Sequence, residues 1–391
     1  MPTDRDPIHV AMLLSNPFRP DPRVLKEANS LAALGHQVTV IAWDRAAEMP
    51  AQEVLPSGVH VTRVQHVPSA YGEGARQILR LPLFWRAALP MLSRQDPGVV
   101  HCHDFDTLPA GLLWGKLHRR PVIYDAHEHY ADLCRPRLHG VGGALLYRLI
   151  HFAERAGARA ASAVVTVDAT LATLFQRLNR RVVIVGHYPA RGFTDGCAPV
   201  FTRPDLTLLY VGRLSTDRGL LGYIDLIRRL HDQGIPARLR LAGIFTPVSE
   251  EQRFREHCRG LEGAIDFVGW VPYDALAALM HTADVGLAIL QPEPRYVAAL
   301  PVKLFEYMAA GLPVVASNFP PIADVLNNAG CGALVDPLDA EMSADRIRHW
   351  WNHPEDARVA GENGRQAVLD RYNWEATFTG MSELYSSLIR R

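Results

Sequence analysis

Short apolar runs alternate with segments of helical period along most of the chain. His9–Leu14 is an apolar, β-rich run. It leads through the loop Ser15–Pro22 into Arg23–Leu34, where Val24, Ala28, Leu31 and Leu34 share one helical face. Gly35 follows as the stop, because glycine adopts the left-handed conformation that closes a helix. Gln37–Trp43 reads as the next strand. Val59–Val64, Val99–His103, Val122–Ala126 and Ala163–Val167 continue the series, with helical segments between most of them. This rhythm predicts a parallel sheet covered by helices on both faces.

Residues 190–205, ARGFTDGCAPVFTRPD, break the rhythm and read as a Gly/Pro-rich linker. The rhythm restarts with Leu206–Val211, Arg238–Ala242, Ile265–Gly269, Val285–Leu290, Val314–Ser317 and Ala333–Val335. Residues 354–391 read as helix throughout. The pattern predicts two Rossmann-like α/β domains, 1–192 and 193–372, with a helix over about 373–391 packing back on the first. Open parallel sheets bind ligands beyond the C-terminal ends of their strands, so the expected site is a cleft faced by those ends.

Composition narrows the function. Of 391 residues, 48% are hydrophobic and 21% charged, as in a well-packed globular chain. Lys+Arg and Asp+Glu both number 41, which removes the net charge that would favour nucleic acid. The five cysteines, Cys102, Cys134, Cys197, Cys258 and Cys331, are widely spaced and form no C-x-x-C pair. They read as reduced thiols of a cytoplasmic protein and give no zinc pattern. The apolar run near the N-terminus is short and preceded by acids, unlike a secretory signal. No stretch approaches the roughly 20 apolar residues that span a bilayer. Membrane contact is therefore expected to be peripheral, at the inner face. Gly72–Arg94 is the segment that raises it, mixing Leu, Phe and Trp with Arg76, Arg80, Arg86 and Arg94. Pro82 and Pro90 are expected to interrupt a helix there, and core packing explains its apolar residues equally well. No feature sets an oligomeric state.

The most informative segment is PVKLFEYMAAGLPVVAS, Pro301–Ser317. Pro301 suits a first helical position, Gly311 ends the helix, and Val314–Ala316 enters a buried strand. Lys303 and Glu306 lie one turn apart near the helix start. A helix N-terminus offers free N–H groups to a diphosphate, and a carboxylate one turn in can accept from both ribose hydroxyls. From spacing alone, a solvated i,i+3 ion pair is the simpler account.

This segment resembles the donor-binding helix of the retaining glycosyltransferases of family four, which have the GT-B fold. GHQVTVIAW (Gly35–Trp43) is similar to that family's second strand, and VVHCHD (Val99–Asp104) to its HxHD strand end. PVIYDAHE (Pro121–Glu128) resembles the strand carrying its characteristic histidine. LLYVGRLSTDRGL (Leu208–Leu220) resembles the start of its second domain, and Phe267–Leu290 the "aDv" segment. The matches come in family order over about residues 8–370.

The resemblance implies an enzyme moving a hexose or N-acetylhexosamine from a nucleotide-sugar to a hydroxyl acceptor in glycan, glycolipid or natural-product synthesis. UDP is the expected carrier, with GDP second. Arg213 and Arg218 would grip the diphosphate, Arg218 standing where the family usually has Lys. Glu306 would bind the ribose, and Lys303 and Gly269 would lie on the donor side. The family's first Glu is replaced by Ala298, so the backbone around Ala299 and Leu300 is expected to hold the diphosphate. His127 would orient the transferred sugar. The family's Gly-rich turn after the first strand is absent here, and Asn16, Arg19, Arg23 and His103 are candidates for the acceptor side.

His101 and His103 share one sheet face, which invites a metal, but no third ligand stands at suitable spacing. Asp104 and Asp106 mimic a D-x-D metal motif and are expected instead to cap a helix. No cofactor and no essential metal are expected. A sugar-nucleotide epimerase of similar fold and an inactive nucleotide-sugar-binding partner protein are the alternative readings. The absence of G-x-G-x-x-G counts against a dinucleotide-dependent oxidoreductase.

Overall fold

A computed structural model describes residues 7–19, 21–69, 75–135, 138–196, 201–202 and 204–389, with backbone alone at 75–77 and 389. The start of the basic segment at Gly72–Gly74, the thiol of Cys197 and part of the 190–205 linker lie outside the described residues. The chain forms two compact units, one of residues 1–187 with 377–391 and one of residues 188–376.

The first unit runs β1 (His9–Leu14), α1 (Pro22–Ala33), β2 (Gln37–Trp43), β3 (Gln52–Val54), β4 (His60–Val64), α2 (Ala75–Gln95), β5 (Val99–His103), α3 (Leu108–His118), β6 (Val122–Ala126), α4 (Tyr130–Cys134), α5 (Gly140–Ala160), β7 (Ala163–Thr166), α6 (Ala169–Gln176) and β8 (Val182–Ile184). Its eight strands lie in the order β3-β4-β2-β1-β5-β6-β7-β8. Every pairing is parallel except the short edge pairing β3–β4. The strand order reverses direction between β1 and β5, the kind of point at which parallel sheets bind ligands. Trp43, Phe84, Trp114 and Tyr124 fill the core on one face of this sheet.

The second unit runs β9 (Leu206–Val211), α7 (Leu220–Asp232), β10 (Ala237–Ala242), α8 (Ser249–His257), β11 (Ile265–Gly269), α9 (Tyr273–Met280), β12 (Val285–Ala288), α10 (Pro294–Val297), α11 (Val302–Ala309), β13 (Val314–Ser317), α12 (Pro320–Ala329), β14 (Gly332–Val335), α13 (Ala340–Asn352) and α14 (Pro354–Asp370). Its six strands are all parallel, in the order β11-β10-β9-β12-β13-β14. The reversal here falls between β9 and β12, so the residues following β9 occupy the switch point. The last helix, α15 (Trp374–Ile389), belongs from Thr377 onward to the first unit.

Several local expectations are corrected. The strands β3 and β8 carry only three residues each, too few for periodicity to register. Pro82 and Pro90 do not interrupt α2, which runs through both. Both prolines face solvent, while Phe84, Ala88 and Leu92 anchor the helix to the core. Water can satisfy the carbonyls that a proline leaves unpaired, and packing outweighs the local cost. Helix does not run unbroken from 354 to 389, because Arg371–Asn373 separate α14 from α15. The 190–205 segment holds a 3-10 turn at Arg191–Thr194 with Phe193 and Thr194 buried.

Candidate functional site

Two clusters of chemistry-bearing side chains form, one at the switch point of each sheet. In the first unit, β5 and β6 run in register with His103 opposite Asp125. Alternation then places His101 beside them on the same face. Asp125 is fully buried, and its Oδ2 is the centre of the cluster. His127 Nε2 bonds it at 2.8 Å, His103 Nδ1 lies at 2.9 Å and His101 Nε2 at 3.6 Å. Burial alone would raise the Asp125 carboxyl. The charge on His127 and the facing histidine rings instead hold it well below the usual range. The same partnership raises His127 against the effect of burial, mainly through Asp125 and then Asp104. Burial, with His103 beside it, pushes His101 down to about 4.

Glu27, from α1, brings Oε2 to 3.9 Å of His101 Nε2. Burial and the nearby Asp125 raise its carboxyl well above the ordinary value. The Tyr385 hydroxyl of α15 meets His101 Nδ1 at 2.7 Å. Glu27, His101, His103 and Asp125 thus bring four donor atoms within 4.8 Å of one another. By distance this set could hold a small cation. The sequence argument against a metal rested on the missing third ligand, and the fold removes that ground by adding Glu27 and Asp125.

Of the remaining first-unit candidates, Arg23 lies close enough to Asp104, Asp125 and His127 to interact with them electrostatically. Asn16 donates to Asp21, the N-cap of α1, and Arg23 lies 3.4 Å from the same carboxylate. Arg19 is exposed and turned toward Met49 Sδ. His103 is buried beside Asp125 rather than presented to solvent. Asp104 and Asp106 do not cap α3. Thr107 holds the N-cap position without a side-chain cap bond, Asp104 adopts φ +61°, and Asp106 is buried. Burial and then Asp104 push the Asp106 carboxyl up to about 7.

In the second unit, the turn after β9 carries Gly212 and Arg213, and the 3-10 turn Thr216–Arg218 leads into α7. Gly219 joins them with φ +84°. A Cβ there would lie 2.2 Å from the Ile289 carbonyl oxygen, so the turn requires glycine. Arg213 Nη2 bonds Asp217 at 2.9 Å and the Tyr296 hydroxyl at 3.2 Å. Arg218 sits over the Tyr296 ring. Lys303 and Glu306 are 6% and 7% exposed, which excludes the solvated ion pair. Lys303 Nζ rests 3.5 Å from the centre of the Tyr210 ring, buried without a hydrogen-bond partner. Burial, reinforced by Arg218, lowers its ammonium well below the ordinary lysine value. Arg213, Arg218 and Lys303 thus gather where β9 meets α11, an arrangement suited to an anion of more than one charge.

Other donor-side expectations shift. Val302, not Pro301, is the first residue of α11, and Pro301 is its N-cap. The Ala299 N–H is committed to the Tyr296 carbonyl, so it is not free for phosphate. Leu300 is half-buried just before that helix. Gly269 ends β11 with φ +82°, and its carbonyl accepts from Gly243. Reading the sequence did not single out Asp125, Glu27, Tyr385, Asp217, Arg295 or Tyr296. Asp125 and Asp217 stand inside motifs already quoted, so that signal was present. Glu27 and Tyr385 gave none, because only folding brings them to His101.

Comparison with known proteins places these clusters in context. Residues 20–186 match the "Glycosyl transferase 4-like domain" model and residues 200–367 match "Glycosyl transferases group 1". A GDP-mannose-dependent alpha-(1-6)-phosphatidylinositol dimannoside mannosyltransferase of Mycobacterium tuberculosis is 30% identical over 369 residues, covering 89% of this chain and 87% of that one. A glycogen synthase of the same organism is 24% identical over 382 residues, covering 92% and 88%. Among solved structures, sucrose-phosphate synthase from Thermosynechococcus elongatus superposes with a TM-score of 0.77 at 20% identity, covering 98% of this chain and 99% of that one.

Proposed function

Because the chain belongs to the glycosyltransferases of GT-B fold, of the family-four-like kind, we propose that it transfers a hexose or N-acetylhexosamine, with retention, from a nucleoside diphosphate sugar to a hydroxyl acceptor. The observation that carries the reading is the gathering of Arg213, Arg218 and Lys303 beside the start of α11, with Glu306 one turn in.

Negative charge grows on the diphosphate as the glycosidic bond stretches. The two guanidiniums and the N-terminal N–H groups of α11 stabilise it electrostatically. Glu306 accepts from the ribose hydroxyls. His127, fixed through Nε2 by Asp125, is assigned a hydroxyl of the transferred sugar on the family resemblance. The acceptor hydroxyl attacks from the face the diphosphate leaves, and a phosphate oxygen takes its proton. This route assigns no step to a metal, so chelation with EDTA is expected to leave turnover unchanged.

UDP-sugars are proposed first, on the family resemblance. GDP-mannose joins them because the 30%-identical relative is named for it. The same relative is named for a phosphatidylinositol-based acceptor, which supports a lipid-borne hydroxyl here. Peripheral contact through residues 72–94 is part of this proposal. Leu79 and Leu83 of α2 face outward, and Val141 of α5 is 90% exposed, with Leu145, Leu149 and Phe152 continuing one stripe. The only acid within α5, Glu154, is buried, while Arg148 and Arg159 are exposed. Among the described residues no helix is long and apolar enough to cross a membrane.

Ligand-observed NMR with a panel of UDP- and GDP-sugars, on wild type and Glu306→Ala, tests the donor reading. One donor should bind and be weakened about tenfold by the substitution, the loss of roughly 1.4 kcal/mol expected for charge-assisted bonds. Absence of binding by every donor would refute the proposal.

A further inference from the structure

Among the described residues, Asp217 is the carboxylate bonded to the arginine cluster that the proposed chemistry leaves unused, and its Oδ2 is crowded with donors. Arg213 Nη2 reaches it at 2.9 Å, the Tyr296 hydroxyl at 2.7 Å and Arg295 Nη2 at 2.5 Å. These groups come from two places in the chain: Arg213 from the turn after β9, and Arg295 and Tyr296 from the short helix α10. Two guanidiniums and a phenol converging on one anionic oxygen form the environment that a phosphate oxygen requires. The carboxylate is itself a residue of the short turn between Arg213 and Arg218. Its side chain is 26% exposed, so the pairing is within reach of solvent and of a ligand. Partly exposed ion pairs contribute little net stability, so an incoming anion of higher charge can displace one.

We propose that Asp217 and the donor's diphosphate compete for the same hydrogen-bond donors, which makes Arg295 and Tyr296 diphosphate ligands and Asp217 an internal anion that sets nucleotide affinity. This rests on the donor reading above and extends it to residues that reading does not assign. It also gives the departure at Ala298 a physical complement. Where the family's first Glu is missing, the preceding turn supplies a guanidinium and a phenol aimed at anionic oxygen. The two guanidiniums serve whichever anion holds them. With Asp217 they stay ordered, and with diphosphate they become part of the nucleotide site.

The competition predicts a sign that ordinary structural support does not. Isothermal titration of the full chain with UDP, GDP and inorganic pyrophosphate would be run on wild type, Asp217→Asn, Arg295→Ala and Tyr296→Phe. Asp217→Asn should tighten the bound diphosphate about fivefold, the equivalent of about 1 kcal/mol for relief of one competing ion pair. Arg295→Ala and Tyr296→Phe should each weaken it about fivefold to tenfold. Binding of uridine or guanosine, which lack phosphate, should not respond to Asp217→Asn. Asp217→Ser serves as a second variant, and unchanged melting temperatures exclude unfolding as the cause. Weakening by Asp217→Asn in parallel with Arg295→Ala would overturn the proposal and make Asp217 a support for the arginines. An unchanged affinity would overturn it as well. Failure of wild type to bind any of the three probes would remove the donor reading along with it, a result distinct from either.

Discussion

Gly219→Ala and Gly222→Ala lie three residues apart at the start of α7, yet they should move stability in opposite directions. At Gly219 the backbone sits at φ +84°, where an L-residue costs about 1–2 kcal/mol. The added Cβ would fall 2.2 Å from the Ile289 carbonyl oxygen. That oxygen cannot retreat freely, because the buried Tyr223 hydroxyl donates to it at 2.8 Å. Overpacking of this kind costs about 1–3 kcal/mol more, so the sum is about 2–5 kcal/mol. At Gly222 a Cβ meets nothing within 4 Å and the helix is regular. Alanine there should stabilise by about 0.4–1 kcal/mol, chiefly by restricting the unfolded chain. Urea denaturation, with hydrogen exchange followed on peptides covering 206–232, reads both changes. Gly219→Ala should also weaken donor binding, because it displaces the adjacent Arg218. Equal effects at the two positions, or a Gly219→Ala protein as stable as wild type, would refute the turn geometry.

Three further outcomes follow from the two clusters. Arg213→Ala should lower kcat/KM with a fixed acceptor about 100-fold or more, as loss of a charge-stabilising donor does, and unchanged turnover would remove Arg213 from the phosphate clamp. Lys303→Met should leave thermal stability unchanged or raised, since it relieves a buried ammonium that has no hydrogen-bond partner, while abolishing donor binding; a destabilised protein that still binds donor would contradict this. Asp125→Asn should destabilise by about 3–5 kcal/mol, because it strips the counter-charge from a buried pair. In wild type the raised His127 contributes stability that is complete below its unfolded value near 6.5 and is lost as pH rises through its folded value. The lowered Asp125 contributes stability present above its unfolded value near 3.9 and lost as pH falls through its depressed one. Melting temperature against pH should therefore lose part of both limbs in Asp125→Asn, and an unaltered curve would refute the pairing.

Much of this protein was determined locally and was legible in the chain. Alternation of apolar strands with helical faces gave the two parallel sheets, and Gln37–Trp43 and Val99–His103 end where the pattern placed them. The motif segments gave the family, because nucleotide-binding turns need particular residues at fixed spacing. Gly219 after Arg218 is required by one close approach, and Lys303 and Glu306 lie one turn apart on α11. Other features depended on partners far away in sequence. The burial of Lys303 and Glu306 follows from the packing of α11 beside Tyr210, which spacing cannot disclose. Pro82 and Pro90 remain within α2 because packing overrides a local penalty. Asp125 acquires His101, His103, Glu27 and Tyr385 as neighbours only when β5, β6, α1 and α15 come together. Sequence by itself settles what depends on nearest neighbours along the chain: period, turn chemistry and motif. The tertiary structure alone decides which charges are buried and which share a partner, because desolvation and Coulomb energies depend on distance in space.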